Sequence, residues 1–335
     1  MSIVSSLRAG IKTTDGVNYL NIFLMLFSCA VAYLIPFELF LFAYSVIGPL
    51  HYLTEISWLQ KKNYFIKSKK DIWLFVLVSV LLLVALLDKN SKINQITTGL
   101  IFTSFMFAFI ILFIEKTTQK LFWLFLVFFL FAVFGLNNVW AFQVIFAILL
   151  PTIVHVFIFT GAFILYGALK SKSISGIFSL FVFIACALIC FFFDLENIAY
   201  SVSAYVRKTY EMFFIINKTL SDVLGVGSIR KANDIFNNAG AIAVMRFIAF
   251  AYTYHYLNWF SKTSIIKWHE ISKKRMISIV FLWIVSVVLY AYNYTVGFFA
   301  LFFLSLLHVF LEFPLNHHTF IGIGKEFKLI FKRAE

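Results

Sequence analysis

The sequence predicts an all-α fold, a polytopic transmembrane helical bundle of about ten spans. Three observations predict it. The 335 residues are 62% hydrophobic and only 13% charged, far from the near-half apolar, quarter-charged balance of a soluble domain. The mean hydropathy is +0.94. The apolar residues fall in runs of roughly 20, the length a helix needs to cross a bilayer, with short basic clusters between them.

Taken in order, the runs are 19–35, 37–59, 72–87, 96–114, 120–136, 139–169, 175–193, 237–260, 276–293 and 295–314. Pro36 marks the turn between the first two, and Asn293 the turn between the last two. The sixth run is long and interrupted at Pro151, which predicts a kinked or tilted helix. The polar first 18 residues lead into an apolar run without a small-x-small cleavage site, which reads as an uncleaved first span. Segment 194–236 is the one sizeable extramembrane piece, an extracytoplasmic loop. Its Tyr, Phe and charge mixture between Tyr200 and Leu220 reads as an interfacial helix. No linker or repeat divides the chain, so residues 1–335 form a single integral membrane domain.

The net charge of +13 raises nucleic-acid binding, but the basic residues lie in clusters such as Lys61-Lys62, Lys67 with Lys69-Lys70, and Lys273-Lys274-Arg275. Threading ten spans collects most of them on one side, the pattern of the positive-inside rule. Both termini are then cytoplasmic, in a bacterial inner membrane, and no nucleic-acid partner is expected. Cys29, Cys186 and Cys190 lie within apolar runs, and the helical spacing of Cys186 and Cys190 does not favour a disulfide.

Ionisable groups inside spans are costly and face a bundle interior or a cavity. Gly48-Pro49-Leu50-His51-Tyr52-Leu53-Thr54-Glu55 puts an imidazole and a carboxylate four residues apart, on one helix face. His308 and Glu312 repeat the spacing. With 7 His in the chain, chance gives roughly 0.2 such pairs. His51, His155, His255 and His308 lie on the second, sixth, eighth and tenth spans, all running the same way. His51, His255 and His308 fall at similar depth, roughly 8–12 Å below the cytoplasmic boundary at about 1.5 Å per residue, and His155 counts as deeper. Three of the four prolines sit beside these residues: Pro49, Pro151 and Pro314. They remove backbone bonds and open cavities.

Four imidazoles and two carboxylates make a ligand set for iron, manganese or zinc. Singly, each histidine can equally tie two helices together, and Glu55 and Glu312 can reach interfacial water. Taken as a set, His51, His155, His255 and His308 are the expected metal ligands, with iron the metal, and Glu55 and Glu312 the catalytic or outer partners. His317 and His318 read as a wet interfacial pair, and His269 as solvated. Tyr252, Tyr254, Tyr256 and Trp259 read as an aromatic belt, and Asn258 as a partner of His255. Arg246 is expected to pair with Glu38 or an anionic head group.

On Gly48-Pro49-Leu50-His51 and the later His155, His255 and His308, the chain resembles the Brp/Blh group of bacterial membrane proteins. Those are polytopic carotene-cleaving dioxygenases with iron held by helix-borne histidines. The resemblance implies an oxygenase acting on a lipophilic isoprenoid or acyl substrate within the lipid. The group's His-Gly-x-x-Asp type run is absent, since Tyr52-Leu53-Thr54-Glu55 follows His51, which leaves substrate and reaction open. Two other classes use the same residues: a transporter relaying protons or cations through the His/Glu cluster, and a haem protein with facing histidines.

Overall fold

The computed structural model describes residues 13–62, 91–192, 201–227 and 229–334, with residues 73, 75–77, 79–81 and 84 between them. Every described element is helical. Helix α1 spans Thr14–Leu34. Thr13 caps it, its Oγ1 accepting from the Gly16 N–H at 3.0 Å, as a residue with a short side-chain oxygen does at a helix start. Ile35 breaks the helical backbone and Pro36 occupies the first turn of α2, where its missing N–H costs nothing. Helix α2 runs over Pro36–Phe42, widens to a π-turn at Ala43–Ile47 and returns to α geometry over Gly48–Lys62.

Helix α3 is Ser91–Phe113. The next apolar run is helical from Thr117 to Ser171, 55 residues, roughly 80 Å if straight and too long for one crossing. Asn138, with φ −129° and ψ 32°, breaks it. Helix α4 therefore comprises Thr117–Leu130 and a π-turn at Phe131–Gly135. Helix α5 begins at Val139–Phe142, takes π geometry over Gln143–Phe159 around Pro151, and ends as α-helix over Thr160–Ser171. Pro151 cannot donate a backbone N–H, and the wider turn absorbs the lost bond.

Helix α6 is Ile174–Phe192. Two short helices follow, α7 at Ala204–Tyr210 and α8 at Phe214–Leu224. This segment packs on the bundle. Tyr210 and Phe213 are buried, with Tyr210 4.8 Å edge-on from Phe37 and Phe213 4.9 Å from Phe40. Edge-to-face aromatic contacts of this kind each add about 0.5–1.5 kcal/mol, and they fasten the segment over one end of the bundle. Asp234, further along it, accepts the N–H groups of Lys231 at 2.8 Å and Arg230 at 2.9 Å. These two donors hold its carboxyl below the ordinary value of 3.8.

Helix α9, Ala239–Ser261, is the central element, buried along most of its length and packed against α1, α2, α5, α6 and α8. Helix α10 is Lys273–Tyr292, and α11 runs from Tyr294 to Ala334. Pro314 does not end α11, although the tenth run was expected to stop there. The helix passes through it, as membrane helices do when neighbours satisfy the freed carbonyl.

Seven helices are long and apolar enough to cross a membrane, which makes this a membrane protein of the helical class. The difference from ten runs has three sources. The run 72–87 falls largely outside the described residues. The runs 120–136 and 139–169 form one continuous apolar stretch. The run 237–260 forms α9, whose Tyr, His, Asn and Arg content falls below the apolar criterion. That content fits its position, because a helix surrounded by protein contacts little lipid. Elsewhere the polarity is inverted relative to a soluble protein. Phe125, Trp140, Phe181 and Ile277 are two-thirds or more exposed, while His51, Glu55, His155 and Glu312 are each 3% exposed or less. Apolar outside and ionisable inside is the arrangement a lipid solvent selects.

Candidate metal centre

The four intramembrane histidines come from four helices and meet. His51 stands on α2, just after the π-turn and Gly48-Pro49. At Gly48 a Cβ would sit 3.2 Å from the Tyr256 hydroxyl, a close approach that the glycine eases. His155 stands on the π portion of α5, His255 on α9 and His308 on α11. Their rings form a closed circuit. Centroids are 4.8 Å apart for His51 and His255, 4.8 Å for His255 and His155, 5.1 Å for His155 and His308, and 5.4 Å for His308 and His51.

The nitrogens face one another. Nε2 of His51 lies 3.2 Å from Nε2 of His255, and Nε2 of His155 lies 3.2 Å from Nε2 of His308. One ligand nitrogen from each of His51, His255 and His308 falls within 4.8 Å of the others. Two imidazoles bound to one ion at about 2.0–2.1 Å, at near-tetrahedral angles, have nitrogens about 3.4 Å apart. The observed 3.2 Å separations match that geometry. Haem between facing imidazoles would need nitrogens about 4 Å apart across a flat ring, so these pairs do not suit it.

Both carboxylates join the cluster, by different routes. Glu55 Oε2 lies 3.1 Å from His51 Nε2, the nitrogen that also faces His255. Glu312 Oε2 lies 3.2 Å from His155 Nδ1, the nitrogen turned away from His308. Neither contact is directed as a hydrogen bond. Glu55 Oε2, Glu312 Oε2 and the Nδ1 atoms of His51, His155 and His308 are buried without a hydrogen-bond partner. Buried polar atoms without partners cost about 1–3 kcal/mol each. The atoms turned into the cluster, Nε2 of the histidines with Glu55 Oε2 beside His51, make a donor set of imidazoles and carboxylate that fits a bound cation.

Thr160, the first residue after the π portion of α5, completes the arrangement. Its Oγ1 lies 2.9 Å from His255 Nδ1, so an Nδ1–H donated to it leaves Nε2 as an acceptor toward the cluster. Outer partners of this type fix the tautomer and orientation of a ligating histidine. Nothing in the sequence distinguished Thr160 from other membrane threonines; only its place five residues after His155 hints at it. The Trp259 Nε1–H donates to Thr54 Oγ1 at 2.9 Å, locking α9 to α2 beside His51.

The expected aromatic belt around His255 is interior instead. Tyr252, Tyr254, Tyr256 and Trp259 are all buried. Tyr256 and Trp259 pack on His51 at 5.0 and 5.7 Å, while Tyr254 stacks on Phe250. They do not form one cage. Asn258 reaches the Tyr254 hydroxyl, which donates to its Oδ1 at 3.4 Å. The Arg246 guanidinium lies over the Tyr33 ring, 3.9 Å from its centroid. His317 packs against Phe109 and Phe113, away from the cluster, and His269 and His318 are exposed.

A cavity of about 410 Å³ reaches His155 and His308. It is lined mainly by apolar groups, among them Ile148, Phe213, Ile216, Phe298 and Phe302. The fold and site therefore define a helical membrane protein whose interior holds a cluster of imidazoles able to bind a metal ion. No family model, no curated protein and no solved structure matches this chain.

Proposed function

We propose that this chain is a metal-dependent membrane enzyme, an oxygenase acting on a lipophilic isoprenoid or acyl substrate. The observation that carries this reading is the convergence of His51, His255 and His308, each from a different helix, with ligand nitrogens within 4.8 Å of one another. His155 and Glu55 complete the set that would hold the ion. Mixed imidazole and carboxylate ligation suits iron, which when bound supplies activation of dioxygen. The ten-span threading with cytoplasmic termini, in a bacterial inner membrane, and the resemblance to the Brp/Blh dioxygenases belong to the same reading.

The chain's own residues do the remaining work. The 410 Å³ cavity, roofed by Phe213 and Ile216 of the 201–236 segment, takes the apolar chain and excludes water from it. His155 and His308 close its inner end. Thr160 holds His255 in the tautomer that leaves Nε2 free, and Glu312 lies beside His155 Nδ1. Glu55, with one oxygen unpartnered, accepts or returns a proton beside His51. Excluding water from such a site strengthens each of these electrostatic contacts.

Oxygen uptake by the iron-loaded, detergent-purified chain with a conjugated isoprenoid substrate tests this. Uptake and substrate loss that disappear in His308→Ala support the enzyme; equal rates in the two proteins contradict it. A second reading, translocation of protons or cations, is favoured by one observation: cavities approach the cluster from two sides. Uptake into proteoliposomes that is abolished in His51→Ala would select it.

A further inference from the structure

The two halves of the cluster open onto different cavities. His155 and His308 line the first, whose described lining carries no lysine, arginine or carboxylate. His51, His255, Glu55 and Glu312 line a second, of about 660 Å³. The two share no lining residue. The second runs from the cluster to the end of the bundle where α1 begins and α5 and α9 end, reaching Thr14, Lys170 and Lys262.

Its chemistry differs along its length. His255 and Asn258 of α9 and Lys262, which caps its C-terminal end, follow at intervals of three and four, and all three line this cavity. Among the described residues its carboxylates, Glu55 and Glu312, are at the inner end, and its mouth carries Lys170 and Lys262. Lys262 is half-buried, and among the described residues no carboxylate lies within ion-pair distance of it. Asp15, nearby on α1, is occupied by the hydroxyls of Ser173 and Ser175. Amide and ammonium groups facing a space inside a membrane protein need water or a polar solute as partner. One water takes about 30 Å³ of liquid, so the space holds many. Two lysines at the mouth repel free cations and draw anions.

We propose that the 660 Å³ cavity, with its charged lining, is a hydrated vestibule that admits water and small anions to the His51–His255 side of the cluster, apart from the uncharged cavity on the His155–His308 side. Lipid-borne and water-borne reactants thus reach opposite faces of one centre without crossing. What an admitted solute does at the cluster rests on the metal-dependent reading above; its admission does not.

Cysteine labelling tests this on chelator-treated protein without added metal. Thr319→Cys, or Leu315→Cys if the first is poorly folded, places a thiol in the vestibule, and Ala147→Cys places one in the uncharged cavity. The probes are a sulfonate-bearing and a trimethylammonium-bearing methanethiosulfonate. Peptide mass spectrometry separates the new site from Cys29, Cys186 and Cys190. The vestibule thiol should react with the anionic probe about tenfold faster than with the cationic one, the size of preference that one nearby unit charge gives in watery surroundings. Lys262→Gln should abolish most of that preference, and Ala147→Cys should resist both probes. A vestibule thiol inert to both, one that prefers the cation, or equal reaction in the two cavities would overturn the proposal. Because the protein carries no metal in these measurements, failure of the metal reading leaves their outcome unchanged.

Discussion

Glu312 reaches across to His155 on α5, its Oε2 3.2 Å from Nδ1, rather than serving His308 one turn before it on α11. Glu55, by contrast, meets its own helix neighbour His51 at Nε2, 3.1 Å away. Identical spacings in sequence thus give two different roles. Glu312 touches the nitrogen turned away from the cluster, whereas Glu55 touches a nitrogen turned into it. Loss of an outer partner costs about 10–100-fold in metal affinity. Glu312→Gln should fall in that range, and Glu55→Gln should exceed it. Competition titrations with a chromophoric chelator read the two constants, and equal losses would remove the distinction.

Thr160 makes a parallel case. Thr160→Val keeps the shape and deletes the oxygen that bonds His255 Nδ1. Metal affinity should drop about 10–100-fold, with Thr160→Ser close to native. Unchanged affinity in Thr160→Val, measured by the same titration, would mean that the 2.9 Å contact orients nothing.

The link between Trp259 and Thr54 holds α9 against α2 beside His51. Trp259→Phe keeps an aromatic ring and removes the donor. A buried hydrogen bond is worth about 0.5–1.5 kcal/mol, so the thermal midpoint in detergent should fall by a few degrees, about 2–4 °C per kcal/mol in a chain of this order. Differential scanning fluorimetry reads it, and a midpoint at or above the native value would contradict the role given to this bond.

Asp234 gives a pH-dependent expectation at the outer segment. Its folded-state pKa lies below 3.8 because the N–H groups of Lys231 and Arg230 donate to it. Its contribution is therefore present above 3.8 and is lost as pH falls through the lower folded value. Asp234→Asn should mimic the acid state at neutral pH, and amide exchange at Arg230 and Lys231 should speed up. Unaltered exchange would show that the carboxylate does not order the turn.

Much of the site was legible because ionisable residues are expensive in lipid. The similar depth of His51, His255 and His308 pointed to an interior cluster, and the three do converge. His155 counted as deeper, yet its ring packs at 4.8 Å against His255. The count assumed uniform α geometry, while Gln143–Phe159 is π-helical, with more residues in each turn and a shifted register. Helix α9 shows the opposite limit. Its tyrosines read as an interfacial belt because composition alone cannot tell a membrane surface from a protein interior. The cross-helix reach of Glu312 and the placement of Thr160 depend on how α5, α9 and α11 pack, and spacing along one chain carries no signal for that.

Joint metal binding by His51, His255 and His308 is the property on which the proposed function depends. The most direct measurement is the metal content of the detergent-purified chain after reconstitution with ferrous iron and removal of loose ions, beside a variant with all three changed to Ala. The native protein should retain about one ion per chain, and the variant, if still monodisperse, should retain almost none. Native protein that holds no more metal than the variant would contradict the central claim.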